Sequence, residues 1–261
     1  MWNVFYHESR DIALSPVPWH LGRPDMAPNL ARAPTLTVSE VFESVQGEGP
    51  SAGAPSILLR LAACNLRCRW CDTRYSWDFR IHRYRDHVQR MGVEQLADRV
   101  RTMTPRRIVV TGGEPLLQAR ALAALFERLG PTWTVEVESN ATLLPGVELS
   151  PYVNQWNLSP KLSSSGESEA RRIKHEVLAW FRGVTTAHLK LVVLGSADLG
   201  EADALVSSFD WPPERVWLMP CAQTRAELRL RSRELEARCI ERGYRLSPRL
   251  QIELFEGECG R

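Results

Sequence analysis

The segment ACNLRCRWCDTRY, residues 63–75, places three cysteines, Cys64, Cys68 and Cys71, within eight positions. Soft thiolates at such spacing select zinc, copper(I) or an iron–sulfur cluster. A closed structural zinc site takes four protein ligands, commonly as two C-x-x-C pairs. Here the spacing is C-x3-C-x2-C, and Cys221, Cys239 and Cys259 lie singly and far along the chain. A four-iron cubane held by three thiolates keeps one iron without a protein ligand. An open metal position is where a substrate or cofactor binds, as at catalytic zinc.

Outward from that loop, strand-like and helix-like runs alternate. TLTVSEVFESV (35–45) and SILLRLA (56–62) read as strands around the glycine-rich QGEGPSAGAP (46–55). VEQLADRVRTM (93–103) is helical, RRIVVT (106–111) a buried strand, and PLLQARALAALFERLG (115–130) a helix with Pro115 in its first turn and Gly130 as its stop. WTVEVES (133–139), VNQWNLS (153–159), HLKLVVLG (188–195), RVWLMP (215–220) and LQIELF (250–255) read as strands. SEARRIKHEVLAWFRG (168–183), LGEADALVSSF (199–209) and TRAELRLRSRELEARCIERG (224–243) read as helices. Such alternation implies a parallel sheet with right-handed crossovers. About six such units predict an α/β fold, a partial (β/α) barrel rather than a doubly wound sheet. Residues 1–35, rich in Pro, Arg and Trp and without periodicity, read as an N-terminal extension to one catalytic domain over 36–261.

Composition narrows the class. The 261 residues are 44% hydrophobic and 25% charged with net charge +2, which is ordinary for a soluble enzyme and gives no field for nucleic acid or membrane. No apolar run approaches a membrane span, and the N-terminus shows no secretory pattern, so a cytoplasmic location with reduced thiols is expected. Thirty of the 33 basic residues are arginine, which leaves Lys161, Lys174 and Lys190. A lysine retained against that bias marks a place that needs a compact ammonium, a reading that suits Lys161 and Lys190 better than Lys174. Trp156, Trp180 and Trp217 lie in apolar runs and read as core, Cys239 as a buried small residue and Cys221 as packing. The 11 arginines against 5 acids in 67–107 read as a solvated face, with His82 and His87 on it.

In α/β folds of this kind, chemistry collects at the C-terminal edge of the sheet. The cysteine loop follows SILLRLA, TGGEP (111–115) follows RRIVV, SNAT (139–142) follows WTVEVE, and SPK (159–161) follows VNQWNL. Four polar loops therefore converge on one face.

C-x3-C-x2-C with Trp70 before the last cysteine resembles the cluster motif of the radical S-adenosylmethionine superfamily, and TGGEP resembles its second signature. QGEG, with Arg60 four residues before the first cysteine and CDT at 71–73, is similar to the 7-carboxy-7-deazaguanine synthase family, over residues 38–255 and most densely over 40–75. The resemblance implies a radical SAM core in which Cys64, Cys68 and Cys71 hold [4Fe–4S]. It implies S-adenosyl-L-methionine bound near Trp70, Gly113, Glu114, Ser139, Ser159, Pro160, Lys161, Met219 and Pro220, although Met219 and Cys221 depart from the family pattern. Val45, Gln46, Gly47, Glu48, Arg60 and Thr111 would bind the pterin substrate, with Arg60 on its carboxylate, and Thr73 would give a hydroxyl to Mg2+.

The implied reaction is a radical ring contraction of 6-carboxy-5,6,7,8-tetrahydropterin to 7-carboxy-7-deazaguanine with loss of ammonia. That is a lyase step in 7-deazapurine, queuosine-type biosynthesis. A homodimer fed by flavodoxin or ferredoxin is also implied. Two other readings stand beside it: another radical SAM enzyme such as a glycyl-radical activase, and a zinc-binding interaction module.

Overall fold

A computed structural model describes residues 34–255 of the chain. The extension expected over 1–35 lies outside the described residues except for Pro34 and Thr35, as does Cys259. Aliphatic residues on alternate positions drive the first strand, β1 (Thr35–Val45), which buries Leu36, Val38 and Val41. It pairs antiparallel with β2 (Pro55–Leu61) on one side and β3 (Gln89–Gly92) on the other.

From β2 the sheet runs parallel through β4 (Arg107–Gly112), β5 (Thr134–Ser139), β6 (Gln155–Leu158), β7 (Ala187–Val193), β8 (Val216–Pro220) and β9 (Arg245–Leu246). The order β3-β1-β2-β4-β5-β6-β7-β8-β9 is open, in agreement with the expected partial barrel. Helices Ala119–Leu129, His175–Arg182, Ser196–Ser208 and Arg225–Arg242 make crossovers between successive parallel strands. Leu122, Leu125 and Phe126 from the first of these and Phe181 from the second join Trp156, Leu158 and Leu189 in the core.

Parallel register puts equivalent positions side by side. Arg60 of β2 stands opposite Thr111 of β4. Thr111 in turn neighbours Glu138 of β5, whose carboxylate accepts its hydroxyl. Because all seven parallel strands point the same way, their following loops gather at one edge.

Several expectations are corrected. LQIELF is a helix, Leu250–Phe255, and the last strand is Arg245–Leu246. Its Leu-Ile-Leu alternation suits either period over six residues, and docking decides: Leu250 N donates to Gly47 O at 3.0 Å while Ile252 alone is buried. The helix expected over 168–183 breaks where Ile173 goes extended, giving Glu169–Arg172 and His175–Arg182. Pro115–Gln118 forms a 3-10 turn before the helix that Gly130 ends at φ 85°. Trp156 is 2% exposed as expected, but Trp180 is 41% exposed and Trp217 only half-buried. His82 and His87 are half-buried.

Candidate functional site

The loop edge encloses a cavity of about 580 Å³. One wall is the cysteine loop. Ala63 turns the chain off β2 at φ 74°, and the loop is pinned by Ala63 N to Ser76 O and Arg69 N to Ser165 O, both 2.9 Å. Cys64 Sγ accepts Leu66 N at 3.4 Å and Cys71 Sγ accepts the Trp77 indole N–H at 3.2 Å. Burial pushes the Cys64 thiol up to about 12 and raises Cys68, so neither is a free nucleophile at neutral pH. A coordinating metal deprotonates such a thiol outright.

Beneath that loop, the GGEP turn closes against it. Gly113 N donates to Leu61 O at 2.9 Å and Glu114 N to Ala63 O at 2.8 Å. The Glu114 side chain is fully buried; Oε1 accepts Leu116 N at 3.0 Å and the Ser139 hydroxyl at 2.9 Å, and Oε2 accepts Asn140 N at 2.7 Å. Burial raises its pKa. These contacts tie the ends of β4 and β5 together.

The opposite wall is a charged lattice. Lys190 Nζ lies 2.6 Å from Glu48 Oε2 and 2.7 Å from Glu138 Oε1. Glu48 Oε1 also takes Gln251 Nε2 at 2.6 Å and faces Arg249 Nε at 3.4 Å. Against the upward push of burial, the Lys190 and Arg249 charges hold Glu48 at about 2. Gln46 Nε2 donates to the buried Glu136 at 2.7 Å, and Arg249 reaches across to Asp72 at 2.8 Å. Arg60 is anchored through Nε to Glu40 at 2.6 Å. Between the two walls, Lys161 donates to Ser159 Oγ at 2.8 Å and lies 5.5 Å from the Trp70 ring centroid.

Most of the residues singled out in the sequence come together in this cavity. Val45, Gln46, Gly47, Glu48, Arg60 and Thr111 line it, as do Cys64, Cys68, Trp70, Cys71 and Thr73. Gly113, Ser139, Ser159, Lys161 and Met219 line it too, whereas Glu114, Pro160 and Pro220 are buried outside the lining. Cys221, read as packing, is half-buried and lines the cavity, while Cys239 is buried in the core. Asp72, Arg249 and Gln251 were missed. The last two carried no signal because the helix that Arg249 precedes and that contains Gln251 reads as a strand, and their partner Glu48 is 201 and 203 residues away.

The donor set fits an iron–sulfur cluster. The three thiols of the loop, all free, line one cavity, and two of them accept N–H donors, as cluster-bound thiolates do. Among the described residues no group of three or more His, Cys, Asp or Glu side chains is arranged to hold a single metal ion. Thiols that each bind a different iron of one cluster need not converge on a point.

The radical SAM superfamily model matches residues 59–149, the stretch that holds the thiol loop and the GGEP turn. Fold and site thus define a radical SAM enzyme, a class that carries a [4Fe–4S] cluster and S-adenosylmethionine. Over 225 residues the chain is 35% identical to the 7-carboxy-7-deazaguanine synthase of Pyrobaculum aerophilum, covering 85% of this chain and 96% of that one. It is 32% identical to the 7-carboxy-7-deazaguanine synthase of Halobacterium salinarum, covering 88% and 94%. The crystal structure of QueE from Escherichia coli superposes with a TM-score of 0.60 at 27% identity, covering 82% of this chain and 93% of that one. The chain belongs to the 7-carboxy-7-deazaguanine synthase family. Neither the activase nor the zinc-module reading is favoured.

Proposed function

We propose that this chain converts 6-carboxy-5,6,7,8-tetrahydropterin to 7-carboxy-7-deazaguanine with loss of ammonia, a carbon–nitrogen lyase reaction in 7-deazapurine, queuosine-type biosynthesis. The observation that carries this is a single cavity with a three-thiol loop on one wall and the QGEG–Glu138–Lys190 lattice on the other. Cys64, Cys68 and Cys71 would hold the cluster. Trp70, Gly113, Ser139, Ser159, Lys161 and Met219 would hold S-adenosylmethionine, with Glu114, Pro160 and Pro220 shaping its loops from behind. When bound, cluster and S-adenosylmethionine would together supply one-electron radical chemistry toward the pterin.

The chain's own residues do the rest. Glu48 and Glu138, as carboxylates, accept hydrogen bonds from the N–H groups of the pyrimidine edge. The Arg60 guanidinium, fixed by Glu40, presents a planar fork to the substrate carboxylate. Val45, Gly47 and Thr111 complete the substrate wall. Thr73 would offer one hydroxyl to Mg2+, a cation that keeps most of its waters and takes few protein ligands. A ring held between the two walls would meet water from fewer directions than one in open solvent.

A homodimer supplied with electrons by flavodoxin or ferredoxin belongs to the same proposal, as does the cytoplasm, whose reducing poise suits free thiols. Among the described residues no helix is long and apolar enough to cross a membrane. The test is an anaerobic reaction of iron-loaded protein with reductant, S-adenosylmethionine and the carboxytetrahydropterin. The deazaguanine should appear by mass spectrometry. Fully loaded protein that makes none overturns the assignment.

A further inference from the structure

Lys190 projects from β7 with a side chain 4% exposed, and its Nζ touches both Glu48 at 2.6 Å and Glu138 at 2.7 Å. Two carboxylates that meet at one atom would share a proton in a dry pocket, because adjacent like charges cannot both ionise there. A fixed ammonium between them removes the conflict. The other groups facing the pair act in the same sense. Gln251 and Arg249 serve Glu48, while the Thr111 hydroxyl at 2.8 Å and Gln46 Nε2 at 3.3 Å serve Glu138. Of the nearby acids, Glu136 is buried behind this wall and engaged by Gln46, Ser51, Asn157 and Arg107, and Asp72 is held by Arg249. In a chain where 30 of 33 basic residues are arginine, a lysine stands where a compact point charge fits and a planar fork does not.

Resting on the pterin reaction above, we propose that Lys190 is a positioning residue that keeps Glu48 and Glu138 together as pure acceptors, and that this pair selects a 2-amino pyrimidine edge over a 2-oxo one. An ionised carboxylate accepts hydrogen bonds and donates none. A pterin turns an N–H and an NH2 group toward the pair. The 2-oxo counterpart turns a carbonyl toward it, and acceptor then faces acceptor.

The experiment measures binding of 6-carboxypterin and of 6-carboxylumazine, its 2-oxo counterpart, by fluorescence titration. It uses the full, cluster-loaded chain under anaerobic conditions, from mildly acidic to mildly alkaline pH. The wild-type protein should prefer the pterin by about 100-fold, the penalty for leaving buried polar groups unpaired, with little change across pH. Lys190→Met should weaken pterin binding by about 10- to 100-fold and erase the preference, with affinity climbing as pH rises and the shared proton leaves. E48Q/K190M keeps one carboxylate and the net charge of the wild-type trio, so it should fold and bind the pterin without that climb.

A folded K190M that matches wild type in affinity, preference and pH profile overturns the inference. If K190M does not fold, the double variant decides, and a pH climb in it overturns the inference. Wild-type protein that binds both ligands alike removes the selectivity but leaves the pterin reaction standing. Wild-type protein that binds neither removes both.

Discussion

The Glu114 carboxylate accepts the Ser139 hydroxyl at 2.9 Å, so the GGEP turn at the end of β4 is bonded directly to the last residue of β5. With Asn140 N on the other oxygen, one buried side chain sets the spacing of two loops that line the cavity. Glu114→Ala leaves three donors without an acceptor in a dry place, which should cost about 2–4 kcal/mol in urea unfolding. Glu114→Gln keeps the shape but can turn an NH2 toward those donors, for a loss of about 1–3 kcal/mol. Both variants should also retain less iron. A neutral effect of Glu114→Ala on stability would contradict this reading of the turn.

Glu48 links the charge lattice to acid stability. Its pKa falls from an ordinary 4.5 to about 2, so the folded state favours its ionised form. A depressed carboxyl contributes stability that is full above the unfolded pKa and drains away as pH falls through the folded one. The advantage of wild type over Glu48→Gln should therefore be constant above pH 4.5, shrink on acidification and vanish below about 2. Denaturant titrations of both cluster-free proteins across that range check the sign. A gap that widens on acidification would refute it.

Much of this site was readable because its chemistry is local. Three thiols on one loop must be close in sequence, and TGGEP, SNAT and SPK each follow a short run that reads as a strand. Lys161 and Lys190 stand out against the arginine background by composition alone. What could not be read was long-range. Arg249 and Gln251 reach Glu48 only because Leu250 N docks on Gly47 O, a pairing that no local pattern encodes. The edge strands β3 and β9 escaped notice because four and two residues carry no usable alternation. Trp180 misled because an aromatic in an amphipathic helix reads as core, although it sits on the exposed side.

The cysteines should divide cleanly. Cys64→Ala, Cys68→Ala and Cys71→Ala each remove a cluster ligand, so protein purified without oxygen should be nearly colourless and hold far less than the roughly four irons of a cubane. Cys239 is buried among Leu235 and other core side chains, so Cys239→Ala should keep full iron and lose only about 1 kcal/mol of stability. Iron analysis and the visible absorption band read both outcomes. Chelation of the iron should abolish product, and reconstitution should restore it.

Thr73 bears on magnesium. Its hydroxyl lies 3.7 Å from Cys71 Sγ, in the cavity that Arg60 also lines. Thr73→Ala should leave iron content unchanged and blunt the stimulation of turnover by Mg2+, while Thr73→Ser, which keeps the oxygen, should preserve it. Magnesium titrations at fixed substrate decide the matter, and an unaltered response in Thr73→Ala would remove the assignment.

Gly113 is where the thiol loop and the GGEP turn come closest. Gly113 N and Glu114 N bond Leu61 O and Ala63 O, which zips the end of β4 to the first residues of the cysteine loop. A Cβ on Gly113 would fall on the Ala63 carbonyl and crowd Cys64 N, and neither is a flexible side-chain end that could swing away. Gly113→Ala must therefore push the two backbones apart, at a cost of about 3 kcal/mol or more. It should also displace Cys64, so iron retention should fall along with the melting temperature. Gly200 gives the control. It sits in the helix Ser196–Ser208 with open space around its missing Cβ, so Gly200→Ala should add about 0.5–1 kcal/mol through helix propensity and leave iron untouched. Equal stability and equal iron in the two alanine variants would mean that the close approach at Ala63 does not hold the loop in place.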